Sequence, residues 1–293
     1  MWAHHYGDIV ERFRRWAEND QDVRAALIVG SQARTDAPAD EWSDLDVVIL
    51  HTDPARLLEA TDWFESFGTP ILSSVEPTAF DWSRERRVLY ADGRDVDFSI
   101  FPTSATPLLV GRAEGLGVLR RGFVVLVDKD RQLDRLPAAV EIAGPESSGL
   151  PTPDQFRANF SDFFYHVLWV AKKLRRGEIW AAKFGCDGYL KRLLLRMIEW
   201  DALSAGLSAA EVWHEGRFLD RWATPEVRSH LPGTFARYEP DDIGRALRAT
   251  GRLYSVLGRK VAVACGWDYP SRAEDEVWNL VDRTLGSESV PEA

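Results

Sequence analysis

Cysteine is nearly absent: Cys186 and Cys265 are the only two in 293 residues. Two cysteines so far apart make neither a disulfide framework nor a metal motif, and the reducing cytoplasm is the expected location. No apolar run approaches the roughly 20 residues that a membrane span requires, so no membrane partner is expected. The opening residues, Met1-Trp2-Ala3-His4-His5-Tyr6, lack a basic segment followed by an apolar stretch, and no secretory leader is read there. The six histidines have no metal-ligand spacing, and His4-His5 reads as a frayed end. An excess of basic charge is also missing: 36 Lys and Arg face 46 Asp and Glu, a formal net charge of −10. That balance argues against a nucleic-acid partner, which needs a broad cationic footprint. It is compatible with a cationic small molecule. There is no internal repeat and no low-complexity tract. With 45% hydrophobic and 28% charged residues, the chain has the composition of a globular protein, and its length accommodates two domains.

What is present concentrates between residues 27 and 46, L-I-V-G-S-Q-A-R-T-D-A-P-A-D-E-W-S-D-L-D. A β-branched strand runs into Gly30-Ser31, and Asp44-Leu45-Asp46 then leads into the apolar run Val47 to Leu50. In a strand side chains alternate faces, so Asp44 and Asp46 point the same way, about 7 Å apart along the backbone. Two carboxylates on one face repel unless a cation sits between them, and hard oxygen donors suit Mg²⁺ carrying a nucleotide phosphate. Gly30 lets the backbone approach a phosphate, and a helix starting there would offer free N–H donors. Ser31 adds a hydroxyl and Arg34 a cation for phosphate oxygens. Each piece alone is ordinary, a solvated strand end or a turn. Their order, strand then G-S then D-x-D then strand, is what points to chemistry.

A third carboxylate lies further on. Asp92-Gly93 between two strand-like runs is a hairpin signal. The returning strand carries Asp95 and Asp97 on one face and Val96, Phe98 and Ile100 on the other. Three carboxylates around one or two metal ions are the arrangement for in-line transfer of a phosphoryl or nucleotidyl group. Asp97, deeper in the strand, is the better candidate of the two.

Apolar spacing predicts a helix over 8–18, strands over 25–30, 45–50, 70–75, 87–91, 95–101 and 122–127, and helical stretches over 54–66 and 105–115. The turn formers of 144–153 read as a linker. Beyond them, Phe156, Phe160, Phe163, Phe164 and Val167 open one broad helical stripe, Leu190, Leu193, Leu194 and Met197 a second, and Ile243, Leu247, Tyr254 and Leu257 a third. The expected fold is α+β: a mixed β-sheet domain over 1–143, then an all-helical bundle over 150–293 that closes a cleft against it.

Gly30-Ser31-x-Ala33-Arg34, Asp44-x-Asp46 and a third aspartate at 97 resemble the nucleotidyltransferase superfamily with the DNA polymerase β-like fold. Several further segments are similar to the aminoglycoside 6-adenylyltransferases, or streptomycin adenylyltransferases. In the first half these are Trp63-Phe64-x-x-Phe67-Gly68, the Asp92-Gly93 hairpin and Val127-Asp128-Lys129-Asp130. In the second half they are Val170-Ala171-Lys172-x-Leu174-Arg175-Arg176-x-Glu178-Ile179, Leu194-Leu195-Arg196-Met197-Ile198-x-Trp200, Phe218-Leu219-Asp220-Arg221-Trp222 and Gly266-Trp267-x-Tyr269-Pro270. The resemblance covers nearly the whole chain. It departs from the family's pattern at Lys191-Arg192-Leu193 and over Trp213 to Arg217, which leaves the acceptor open. It implies ATP as nucleotide donor, Mg²⁺ on Asp44 and Asp46, and transfer of AMP to an aminoglycoside hydroxyl with loss of pyrophosphate. Asp97 would be a third metal ligand or the base. Lys172 would reach the triphosphate. Glu178 and Asp187 would meet substrate amines or guanidines, unless they are surface decoration. Trp169 would stack on a sugar or attract a cation, unless it packs in the core. A monomer or weak homodimer is expected. Two alternatives stay open: transfer to another small-molecule, protein or tRNA acceptor, and a non-catalytic nucleotide-binding relative. The intact aspartate set counts against the second.

Overall fold

The computed structural model describes residues 5–34, 39–78, 83–107, 113–142, 149–209, 212 and 215–286. The chain divides into two compact units, Met1–Pro145 and Glu146–Ala293.

The first unit is a six-stranded sheet of order β3-β4-β5-β2-β1-β6. Its strands are β1 (Val23–Val29), β2 (Leu45–His51), β3 (Pro70–Pro77), β4 (Arg84–Tyr90), β5 (Asp95–Pro102) and β6 (Val124–Asp128). β2 and β5 are parallel and every other pairing is antiparallel, so the sheet is mixed. Strand alternation decides what each face carries. One face buries Ala26, Ile28, Val47, Ile49, Val88, Val96, Phe98 and Ile100 under α1 (Gly7–Asn19), α2 (Pro54–Glu59) and α3 (Asp62–Glu65), which supply Ile9, Phe13, Leu57, Trp63 and Phe64. Among the described residues of this unit, part of the opposite face is covered. Ala25, Leu27, Leu50 and Phe101 pack with Leu119 of α4 (Ala113–Arg120) and with Leu133 and Leu136, the latter opening α5 (Leu136–Ile142). The remainder of that face carries Asp46, Asp97 and Ser99.

Two expectations need correction. The helical stretch over 54–66 is two short helices, because Ala60 is extended at φ −72°, ψ 149°. The indole N–H of Trp63 donates to the carbonyls of Leu57 and Ala60, which satisfies the end of the first helix. Nor does a helix follow Gly30; a single 3₁₀ turn spans Gly30–Gln32. The expected helix over 105–115 begins as a 3₁₀ turn at Thr103–Ala105, and 108–112 lie outside the described residues, as do 144–148 of the expected linker and Trp213 and His214.

The second unit is helical. A capping box, in which Thr152 and Gln155 satisfy each other's backbone N–H, starts α6 (Pro153–Arg175). α7 (Ile179–Phe184) continues through a π-helical turn, Gly185–Tyr189, into α8 (Leu190–Ser204). The short α9 (Leu219–Trp222) and α10 (Pro225–His230) lead to α11 (Pro240–Cys265) and α12 (Ser271–Leu285). The three apolar stripes meet in one core, where the Phe163 and Tyr254 rings stack 3.7 Å apart. Among the described residues no helix is long and apolar enough to cross a membrane.

Candidate active site

Strand register assembles a row across four strands. Arg87 of β4 pairs with Asp97 of β5, Asp97 with Asp46 of β2, and Asp46 with Val29 of β1, next to Gly30. The Asp92-Gly93 turn sets this register: with Gly93 at φ +84°, Leu89 falls opposite Asp95 and Arg87 opposite Asp97. Asp44 precedes β2 rather than lying in it, so period-2 alternation is not what aims it. Its backbone carbonyl instead accepts hydrogen bonds from Ser31 Oγ at 3.4 Å and Gln32 Nε2 at 3.2 Å. The outcome is a cluster in which one carboxylate oxygen from each of Asp44, Asp46 and Asp97 lies within 4.8 Å of the others. Asp95 is not part of it; its backbone carbonyl accepts from Tyr6 at 3.0 Å, and its own N–H donates to the same phenol oxygen.

Gly30 is required by two independent facts. Its φ is +67°, in the left-handed region that disfavours a Cβ, and a Cβ there would sit 1.9 Å from Asp46 Oδ2. Ser31 and Arg34 are both buried. The loop carrying them is backed by Gly122, where a Cβ would come within 2.3 Å of the Ala33 carbonyl oxygen. Burial pushes the Asp97 carboxyl up to about 7; Arg87 opposes the rise, while Glu85, Asp44 and Asp95 add to it.

The donor set fits a divalent cation. Three hard oxygen donors converge, and the Asp46 carboxylate packs closely on a residue without a Cβ. A second cluster, Asp20, Asp22 and His51, fits poorly. Arg56 pairs with both of its carboxylates at 3.0 Å. His51 Nδ1 accepts the Asp53 N–H at 2.9 Å, so the proton of the neutral ring sits on Nε2, which then has no lone pair for a metal. Burial lowers the His51 pKa and keeps the ring neutral.

Four expected residues lie in the helical unit. Lys172 is exposed in the last turn of α6. Glu178 pairs with Lys173 and Arg176, each at 2.5 Å. Asp187 lies in the π-helical turn, where it accepts from Lys183 Nζ at 2.5 Å and from the Ala236 N–H at 3.1 Å. Trp169 packs partly against the core, with the Lys173 ammonium 5.2 Å from its ring centre. Arg87 and Glu85 were not singled out from the sequence. The signal was available, since counting back from the Asp92-Gly93 turn places Arg87 opposite Asp97.

The family model for streptomycin adenylyltransferase matches residues 4–283. The chain belongs to the streptomycin adenylyltransferase family. Among characterised proteins it is 22% identical to the aminoglycoside 6-adenylyltransferase of Bacillus subtilis (strain 168), across 91% of this chain and 93% of that one. It is 23% identical to the enzyme of the same name from Campylobacter jejuni, covering 94% and 93%. The Staphylococcus aureus enzyme is 21% identical, covering 90% and 93%. A member of an adenylyltransferase family needs a nucleotide donor, typically held with a divalent metal, and the oxygen cluster beside Gly30 is chemically suited to one.

Proposed function

We propose that this chain transfers AMP from ATP to a hydroxyl of an aminoglycoside such as streptomycin, releasing pyrophosphate. The observation that carries the reading is the convergence of Asp44, Asp46 and Asp97 beside Gly30 in a chain of this family. The acceptor oxygen forms a bond to the α-phosphorus of ATP, the α–β phosphoanhydride bond breaks, and pyrophosphate leaves with that electron pair. Asp44 and Asp46 are the proposed holders of Mg²⁺, with Asp97 able to add a third oxygen. Bound there, the ion supplies neutralisation of the triphosphate charge.

Asp97 takes the hydroxyl proton. Its half-buried carboxyl, raised to about 7, is matched to that work near neutral pH. Acting as a metal ligand would draw its pKa down and weaken it as a base. Gly30, Ser31 and Arg34 form the proposed nucleotide-side loop, and Lys172 the proposed triphosphate contact of the helical unit. Glu178, Asp187 and Trp169 are the proposed substrate contacts. Trp169 already holds an ammonium over its ring, which is the interaction a cationic sugar would use. Asp187 would meet a substrate amine only by exchanging Lys183 for it. The net charge of −10 favours a cationic acceptor over tRNA.

The test is purified protein with ATP·Mg²⁺ and an aminoglycoside panel that includes streptomycin. Pyrophosphate release and an AMP adduct on one antibiotic are expected. An absence of release across the panel overturns the proposal.

A further inference from the structure

Arg87 stands beside the carboxylate cluster, and the reaction above makes no use of it. Alternation along β4 buries Val88 and Tyr90 on one face and sends Glu85 and Arg87 to the face of Asp97. Arg87 Nε donates to Glu85 Oε1 at 3.0 Å and Nη2 lies 2.8 Å from the same oxygen, while Nε forms an ion pair with Asp97 Oδ2 at 3.2 Å. Glu76 of β3 approaches Arg87 Nε at 3.4 Å. Glu85 is fixed in turn, because Ser99 Oγ donates to its Oε2 at 3.2 Å. The result is a chain of contacts, Ser99 to Glu85 to Arg87 to Asp97, laid across alternate rungs of two paired strands.

We propose that Arg87 is a positioning residue for Asp97: its charge, paired with Oδ2, turns the carboxylate so that Oδ1 is the oxygen presented to the acceptor hydroxyl, while Glu85 and Ser99 set the guanidinium. This rests on the reading that Asp97 takes the hydroxyl proton. The physical need is plain. Asp97 has Asp44 and Asp46 as close like-charged neighbours, and their repulsion favours a rotamer turned away from them. A planar guanidinium held by Glu85 through both Nε and Nη2 keeps a fixed orientation beside Asp97, which a lysine would do less well. The competing use of Arg87 is a direct grip on the triphosphate. Its three carboxylate neighbours argue against that, since its charge is already compensated.

The experiment has two arms. In the kinetic arm, Arg87→Met lowers kcat for AMP transfer by about 10- to 100-fold, the range for a displaced reacting group, with KM for ATP changed less than about twofold. Arg87→Lys restores part of the loss, and Glu85→Gln gives an intermediate value. In the structural arm, crystal structures of the parent and of Arg87→Met show one Asp97 rotamer in the first and a rotated or split one in the second, with Asp44 and Asp46 unmoved. Arg87 is about half exposed, so Arg87→Met is expected to fold; Glu85→Gln carries the same comparison if it does not. A raised KM for ATP with kcat retained would mean a triphosphate grip and overturns the proposal. So does an unchanged kcat, or an unchanged single Asp97 rotamer in the variant. If the parent transfers no AMP, the functional reading fails, and the crystallographic arm still decides whether Arg87 positions Asp97.

Discussion

Gly30→Ala separates backbone strain from loss of a catalytic carboxylate. The added methyl carbon would stand 1.9 Å from Asp46 Oδ2 and 2.8 Å from its Cγ, so the carboxylate must leave. It cannot move toward Asp97, its register partner on β5, without bringing two carboxylates together. It therefore turns out of the cluster. The backbone contributes separately: a Cβ at φ +67° costs about 1–2 kcal/mol. Forcing Asp46 off its rotamer adds about 1 kcal/mol.

Gly266→Ala is the control. Its φ is +72°, close to that of Gly30, yet a Cβ there meets nothing within 4 Å. Both variants should therefore lose stability, at roughly 2–4 °C of Tm per kcal/mol, with Gly30→Ala about 1 kcal/mol worse. Activity should split them completely. Gly266→Ala keeps the parent's pyrophosphate release, while Gly30→Ala loses at least about 100-fold, the scale expected when a reacting group is displaced by an ångström. Calorimetry with ATP should show the loss of affinity only when Mg²⁺ is present. Turnover by Gly30→Ala within about threefold of the parent would refute the reasoning, because Asp46 would then not need its place against Gly30.

Asp44→Asn and Asp46→Asn should each abolish pyrophosphate release while melting like the parent; retained release in either sinks the two-carboxylate site. Asp97→Asn should bind ATP·Mg²⁺ normally and lose kcat if Asp97 is the base, whereas a raised Mg²⁺ requirement with weaker binding would make it a metal ligand. Full activity in Asp97→Asn would exclude both roles. In the helical unit, burial lifts the Glu199 carboxyl to about 7, so the folded chain holds a proton that the unfolded chain releases at lower pH. Stability from this group is present below the ordinary carboxyl pKa and declines as pH rises to about 7. Glu199→Gln should therefore be more stable than the parent at pH 8, by on the order of 1–3 kcal/mol, and no more stable near pH 4, as read by denaturant melts.

How far the sequence could be read depended on whether the geometry was local. The hairpin around Asp92-Gly93 is local, and the turn carries the register of β4 on β5 with it, so the orientation of Asp97 and of Val96 and Phe98 was legible. Periodicity likewise located α1 and all six strands to within a few residues. Pairings between distant segments carry no such signal. Nothing in residues 45–51 announces that β2 will lie parallel to β5, yet that pairing is what sets Asp46 beside Asp97. Asp44 shows the same limit at closer range. Alternation alone would give it the face of Asp46, but it lies outside the strand, and hydrogen bonds from Ser31 and Gln32 to its carbonyl tie it to the 3₁₀ turn. Ser31, read as a phosphate contact, thus has a structural duty as well: its hydroxyl helps fix the backbone from which Asp44 projects. The π-helical turn at Gly185–Tyr189 was invisible for a related reason. Its lining depends on Lys191 reaching the Cys186 carbonyl and Thr250 Oγ1, each at 2.9 Å, and Thr250 lies on a different helix. Residue type and spacing disclosed which carboxylates were available. The pairing of distant strands determined which of them meet.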